Sequence, residues 1–336
     1  MKTVVTGGLG FIGSHLCERL LRDGHTVTIV DDLSTGALEN IAHLGDPPEL
    51  TCHIDTILNE DLMRQVISDA DVIFHLAAVV GVRRVIDHPL LCLETNIRGT
   101  DVLLELAAQR KVAVLLASSS EVYGKNGSAP FKEDDERVLG STSILRWVYS
   151  VSKTVDECLG LCYCRERGLP VVVMRFFNTV GPRQTGRYGM VLPTFARQAL
   201  SGRPITVFGD GRQVRSFTYV SDVVTAMMAL AGSPRAVGEV FNIGSDDVIT
   251  IEELAQAVKA QADSDSPIEH IPLGLAYGDG FEEPRTRVPD ISKLRSFVGY
   301  EPQVHLEEMI SNILAYCREH EDQRDSLHMS VARRAS

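Results

Sequence analysis

Tyr149 and Lys153, in Tyr149-Ser-Val-Ser-Lys153, stand four residues apart, so a helix would carry their phenol and ammonium on one face. A nearby cation favours the phenolate, and a tyrosine so placed acts as a general base toward an alcohol near neutral pH. Such a pair is common by chance and gains meaning from its company. Ser118-Ser119-Ser120 follows a strand-like run, and a hydroxyl from Ser119 could share the substrate proton and hold the same oxygen. Near the start, Gly7-Gly8-Leu9-Gly10-Phe11-Ile12-Gly13 follows one β-rich run and opens a helical one. Glycines at 7, 10 and 13 suit a tight turn, close backbone approach to a pyrophosphate and close helix–strand packing, with the helix N-terminus aimed at the phosphates. Asp31 closes the next β-rich run. A carboxylate there accepts both ribose hydroxyls and repels a 2′-phosphate, which favours NAD over NADP. Together these residues spell oxidation of an alcohol by a nicotinamide nucleotide.

The elements that must hold these groups alternate along the chain. Candidate strands are Thr3–Thr6, Val27–Val30, Val72–His75, Val112–Ala117 and Val171–Arg175. Amphipathic stretches such as Ser14–Arg22, Asn96–Gln109 and Ser152–Gly168 lie between them. This spacing predicts an α/β fold, a Rossmann-like doubly wound parallel sheet covered on both faces. After Arg175, glycine and proline become frequent and helical pieces shorten. An NAD-binding domain is therefore expected over 1–178 and a smaller C-terminal α/β substrate lobe over 179–320, with Glu239–Ile243 returning as a strand to the first sheet. Asp263–Pro284 reads as a loop, 321–336 as a flexible tail, and Glu133–Glu136 as a solvated acidic loop.

Composition narrows the class. At about 150 residues per domain, 336 residues allow two domains or one large α/β unit. A net charge of −12 gives no electrostatic footprint for nucleic acid, so phosphate ligands must be held locally. No apolar run approaches the roughly 18 residues of a membrane span. The chain enters a strand pattern at Met1 with no room for a signal peptide, and a cytoplasmic location is expected. Seven scattered cysteines, an odd number, argue against a disulfide framework. Cys158 and Cys162 stand one helical turn apart with Cys164 close by, and are expected as buried small hydrophobes with no metal bound.

The glycine pattern, Asp31-Asp32, His75-Leu-Ala-Ala78, Ser118-Ser-Ser-Glu-Val-Tyr-Gly124 and Tyr149-x-x-x-Lys153 resemble the extended short-chain dehydrogenase/reductase family. Arg175-Phe-Phe-Asn178 and Gly181-Pro-Arg183 do too, and the likeness runs from Met1 to about His320. It implies an enzyme that holds NAD, oxidises carbon 4 of a nucleotide sugar, and often forms a homodimer through two helices per subunit, here about 92–110 and 152–167. Cofactor contacts are then expected from the glycine loop (Gly7, Gly10, Phe11, Ile12, Gly13) and from Asp31, Asp32, Thr35 and Gly36. Asp55, Leu76, Ala77, Ala78 and Asn96 would follow, with Ser118, Phe176, Tyr149 and Lys153 near the reacting end.

Within that family, Ser120-Glu121, where 4,6-dehydratases carry Asp-Glu, resembles the UDP-glucuronate decarboxylases. Arg146-Trp-Val-Tyr149-Ser-Val-Ser-Lys153, and Tyr277-Gly-Asp-Gly-Phe281 followed by Arg287-Val-Pro-Asp290, resemble the decarboxylase of the aminoarabinose lipid A pathway, with Phe281 where that relative has Tyr. The likeness implies that Arg146 and Arg287 touch the sugar and that Arg287 donates a proton. Two guanidiniums suit a hexuronate carboxylate, which a planar fork binds bidentately. Asn178 and Arg215 match diphosphate contacts, Thr206–Phe208 the uracil-side strand, and Arg212 either a second phosphate partner or an exposed side chain. Ser119, Glu121, Tyr149, Lys153 and Arg287 are expected to be catalytic, with Ser119 and Ser120 also touching substrate. The reaction implied is oxidation at carbon 4 of UDP-glucuronate and loss of carbon dioxide, giving UDP-4-keto-pentose, UDP-xylose or both. The rival within enzymes is a 4-epimerase on UDP-glucuronate or UDP-glucose. From another class, a non-catalytic NAD-sensing protein would share the scaffold but has no need of the Tyr149–Lys153 pair.

Overall fold

The computed structural model describes residues 1–127, 129–185, 190–277, 282 and 284–332, without the side chains of Tyr277 and of 321–332. The first half runs β1 (Lys2–Thr6), α1 (Phe11–Arg22), β2 (Thr26–Asp31), β3 (Leu50–Ile54), α2 (Glu60–Ile67) and β4 (Val72–His75). It continues with α3 (Val82–Asp87), α4 (Pro89–Leu93), α5 (Gly99–Arg110), β5 (Ala113–Ser119), α6 (Val148–Arg167) and β6 (Val171–Phe176). The second half runs β7 (Thr179–Val180), α7 (Val191–Leu200), β8 (Ile205–Phe208), β9 (Val214–Ser216), β10 (Thr218–Tyr219), α8 (Val220–Ala231) and β11 (Val240–Ile243). After these come β12 (Val248–Thr250), α9 (Ile251–Gln261), β13 (Ile268–Ile271), α10 (Leu273–Tyr277), β14 (Thr286–Arg287), α11 (Ser292–Val298) and α12 (Leu306–Ala332).

Seven parallel strands form the main sheet in the order β11-β6-β5-β4-β1-β2-β3. Its central strands are continuous runs of Val, Ile, Leu and Phe, as both faces are covered. Alternate residues serve opposite layers. Val5, Phe74 and Leu115 pack with Leu16 of α1, Val223 of α8 and Leu294 of α11. Val4, Ile73 and Val114 pack with Met63 of α2 and Leu103 of α5, and Leu159 of α6 joins them. The Rossmann-like doubly wound architecture is thereby established. Its direction of winding reverses between β1 and β4, and a crevice opens there beyond the carboxyl ends of the strands. A separate apolar core joins Phe195 of α7, Ile205 and Val207 of β8, Leu254 of α9 and Ile313 of α12.

Several local expectations need correction. The stretch 263–284 was expected as a loop, yet β13 pairs in parallel with β8 and α10 follows it. Strand β3 was not expected: it lies at the sheet edge, mostly exposed, and Thr51 and His53 dilute its apolar signal. Glu133 is not solvated, since its carboxylate accepts the Asn242 N–H at 2.9 Å and its carbonyl accepts from Arg175 at 2.8 Å. Cys158 and Cys162 are exposed on the outer side of α6, where burial was expected, because the face of that helix toward the sheet is taken by Ser152, Asp156 and Gly160. Helix α12 runs through 321–332, most of the expected tail, and 333–336 lie outside the described residues. Among the described residues no helix is long and apolar enough to cross a membrane.

Candidate active site

The nucleotide end grows from β1. Gly7, at φ +72°, turns the chain so that its own N–H still reaches Val30 O, and a Cβ there would stand 2.8 Å from Ala77 N. A Cβ on Gly13 would stand 2.1 Å from Gly7 O, so only glycine lets α1 start this close to the turn. Helix α1 has no side-chain cap and no acidic residue in its first turn. Its first amides are therefore left to an anion, as a dinucleotide pyrophosphate requires. Asp31 is buried at the end of β2, where its carboxylate accepts the amides of Leu9 and Leu33, both at 2.9 Å. Burial raises its pKa, opposed by those two amides.

A cavity of about 710 Å³ runs from this turn into the space between the main sheet and the second half of the chain. Most of the expected cofactor residues face it: Gly7, Gly10, Phe11, Ile12, Gly13, Asp31, Asp32, Thr35 and Asp55 at one end, and Leu76, Ala77, Ala78, Ser118 and Phe176 further along. Gly36 and Asn96 do not. Gly36 packs against the Asp31 carboxylate, where a Cβ would come within 2.8 Å of Oδ1. Asn96 is buried behind the wall, accepting from Val79 N–H at 2.8 Å and donating to Ser152 Oγ at 3.0 Å.

Ser119, Tyr149 and Lys153 all line the cavity. Helix α6 begins at Val148, so Tyr149 sits in its first turn, where the helix dipole favours an anion. The Ser119 hydroxyl hydrogen-bonds the phenol. Burial still pushes the phenol well above its ordinary value, Ser119 opposing and the Glu121 charge adding to the rise. The floor beneath is a buried polar lattice. Arg175 donates to both oxygens of Glu157 at 2.8 Å, Ser118 donates to the same carboxylate, and Arg175 reaches the Tyr123 hydroxyl at 2.8 Å. These bonds tie α6 to β5 and β6.

Glu121 is flanked by two arginines. Arg146 donates to Oε2 at 2.8 Å and Arg287 to Oε1 at 2.7 Å. Burial pushes the Glu121 carboxyl up, but the guanidiniums of Arg287 and Arg146 more than reverse this and hold it at about 2. Arg146 also donates from Nε to Glu282 O, and Glu121, Arg146 and Arg287 all line the cavity. Parallel pairing of β14 with β9 sets Arg287 directly beside Arg215, a second like-charged neighbour facing the same space. Ser120, Asn178, Thr206 and Phe208 also line the cavity. Arg212 does not; it is exposed, the second of the two placements expected for it. Phe281 lies outside the described residues. Gln213 was missed: it lines the wall, donates to Phe208 O at 2.9 Å and leaves Oε1 without a hydrogen-bond partner in the structure. An isolated glutamine in a Gly-rich turn gave no signal.

Residues 3–244 match the model of the NAD dependent epimerase/dehydratase family, more than half of the chain. The chain belongs to that family. The glycine turn, the uncapped helix and Asp31 fit the NAD that this membership implies. A UDP-N-acetyl-alpha-D-glucosaminuronate decarboxylase of Bacillus cytotoxicus is 43% identical over 323 residues, with 96% of this chain and 99% of that protein aligned. UDP-glucuronic acid decarboxylase 1 of Danio rerio is 35% identical, across 98% of this chain and 75% of that one. Among solved structures, a Bacillus cereus UDP-glucuronic acid 4-epimerase in complex with UDP-glucuronic acid and NAD superposes with a TM-score of 0.86. It is 31% identical, over 95% of this chain and 99% of that one. All three belong to nucleotide-sugar chemistry, and the two sequence relatives are named decarboxylases.

Proposed function

We propose that this family member is a decarboxylase of UDP-hexuronates, acting on UDP-glucuronate. The observation that carries the reading is the Glu121 corner, where the guanidiniums of Arg146 and Arg287 meet on one carboxylate at the cavity wall. A sugar carboxylate arriving there gains a bidentate partner, whereas an uncharged hexose gains nothing from the second guanidinium. The names of the Bacillus and zebrafish relatives support the same chemistry. UDP-N-acetylglucosaminuronate, the substrate in the first name, differs at the acetamido substituent and presents the same carboxylate.

NAD, held along the glycine turn and Asp31, would supply the two-electron oxidation of an alcohol carbon. In this reading Tyr149, as phenolate supported by Lys153, takes the proton of the carbon-4 hydroxyl while Ser119 steadies that oxygen. The resulting β-keto acid loses carbon dioxide readily, because the ketone accepts the electrons of the breaking carbon–carboxylate bond. Tyr149, now protonated, hydrogen-bonds the developing enolate oxygen. Arg146 and Arg287 orient the carboxylate, and Glu121 with Arg287 manages the proton returned to carbon 5. The diphosphate would lie toward Asn178 and Arg215, and the uracil toward Thr206 and Phe208.

The second reading, a 4-epimerase, is favoured by the fold neighbour from Bacillus cereus. Incubation with UDP-glucuronate decides between them. The expected product is lighter by one carbon dioxide, with NADH fluorescence appearing if the keto-pentose leaves first; a product of unchanged mass overturns the decarboxylase. We also propose a division into an NAD-binding part over 1–178 and a substrate lobe over 179–320, and a cytoplasmic homodimer. The pairing surface would be the outer side of α4 to α6, where Leu90, Leu91 and Val151 are exposed beside Cys158 and Cys162.

A further inference from the structure

Lys153 lines the same cavity as Tyr149, and its ammonium is held from within its own helix. Its Nζ lies 3.0 Å from Asp156 Oδ2, three residues further along α6, and both side chains are sealed from water, at 3% and 0% exposure. The other carboxylate oxygen, Asp156 Oδ1, has no hydrogen-bond partner in the structure. A polar file reaches the pair from the sheet. Thr6 Oγ1 accepts the Ala77 N–H at 3.2 Å and lies 2.7 Å from His75 Nδ1, while His75 Nε2 lies 3.0 Å from Thr100 Oγ1. With Thr6 donating to Nδ1, the imidazole proton resides on Nε2 and points at Thr100, whose own proton is left for Asp156. Burial raises the Asp156 pKa, opposed by the Lys153 ammonium and by Thr100 at the end of the file.

We propose that Asp156 is a positioning residue, whose carboxylate holds the Lys153 ammonium and offsets its charge, weakening the pull that the ammonium exerts on the Tyr149 phenol. The inference rests on the reading of Tyr149 and Lys153 as the catalytic pair. Its chemical sense lies in the double duty of that phenol, which takes a proton in one step and must keep it to hold an enolate oxygen in the next. Too strong a cation beside it would leave a phenolate too weak to take the first proton and too acidic to serve the second step.

The other groups facing the pair are few. Glu157 lies on α6 itself, Cys92 on α4, Thr100 on α5, His75 on β4 and Glu121 in the turn after β5. Burial, with Lys153 adding to it, holds His75 at about 3, so it stays neutral; burial raises the Cys92 thiol, so it stays protonated; the arginines keep Glu121 ionised. None of these three changes charge near neutrality.

The test uses the NAD-bound protein and follows phenolate absorbance against pH, with Tyr149→Phe in each background supplying the difference signal. Asp156→Asn keeps the shape and removes the charge. The Tyr149 midpoint should fall by about one pH unit, and the acid limb of kcat should move with it. Asp156→Ser should reproduce the shift, and carries the test if the first variant does not fold. A midpoint that stays or rises, with only the melting temperature lowered, overturns the proposal and makes Asp156 a counter-ion for the fold alone. The substrate reading fails separately, through wild-type protein that releases no carbon dioxide from UDP-glucuronate.

Discussion

At the scale of single residues, the corner formed by Glu121, Arg146 and Arg287 concentrates what is specific to a uronate. Glu121→Gln should cut carbon dioxide release by roughly 10²–10⁴-fold, the span of a lost acid–base group, as read by product mass; wild-type turnover would remove Glu121 from the chemistry. Arg146→Ala and Arg287→Ala should each weaken UDP-glucuronate binding while sparing UDP-glucose, measured by calorimetry on the NAD-bound protein. Equal losses would assign both arginines to the fold. These residues were legible in the chain through their company in short motifs. Asp156 was not, because a carboxylate three residues past a lysine looks like a solvent-facing helix pair until its burial is known. Cys158 and Cys162 failed in the opposite sense. Small sulfur side chains suggest burial by type, but the helix turns them outward.

At the scale of elements, the site is held by two close contacts, one steric and one ionic. A methyl group on Gly13 would collide with Gly7 O at 2.1 Å, so Gly13→Ala must push α1 off the turn. NAD affinity should fall by at least about tenfold, equivalent to 1.4 kcal/mol, as measured by fluorescence titration. Helix α6 is anchored by the fork between Arg175 and Glu157, both buried. Glu157→Ala strands the guanidinium and should cost about 3–5 kcal/mol, visible as a lower urea midpoint. Strands β1, β4, β5 and β6 were legible because β-branched and leucine runs bounded by turns allow little else. The first turn of α6 was legible only through the Tyr149–Lys153 spacing, and the amphipathic pattern began at Ser152, since Trp147, Val148 and Tyr149 carry no helical cap signal. Strand β13, short and with Glu269 and His270 exposed, was hidden in a stretch rich in loop formers.

At the scale of the whole molecule, the buried His75 and the half-buried His15 set a pH dependence of stability. Burial and the Lys153 charge draw His75 from 6.5 to about 3, and burial with the Arg183 charge draws His15 to about 4. In the unfolded chain both take up protons near 6.5. Below that pH the unfolded state therefore binds more protons than the folded one, and stability falls until the folded values are reached. Glu121, held at about 2, adds a loss of the same sign below its ordinary 4.5. The melting temperature should decline as pH drops from about 6.5 toward 4, and His75→Gln should flatten that slope. The main sheet carries a consequence of its own. Its outermost strand on one side, β11, comes from residues 240–243 and hydrogen-bonds along β6, some 60 residues after the chain has left the nucleotide half. A fragment ending at Asn178 would bare the unpaired peptide groups of β6, an open template for sticking to its own kind. The second half of the chain also covers one face of that sheet with α8 and α11, so translation must pass residue 298 before the first half can finish folding.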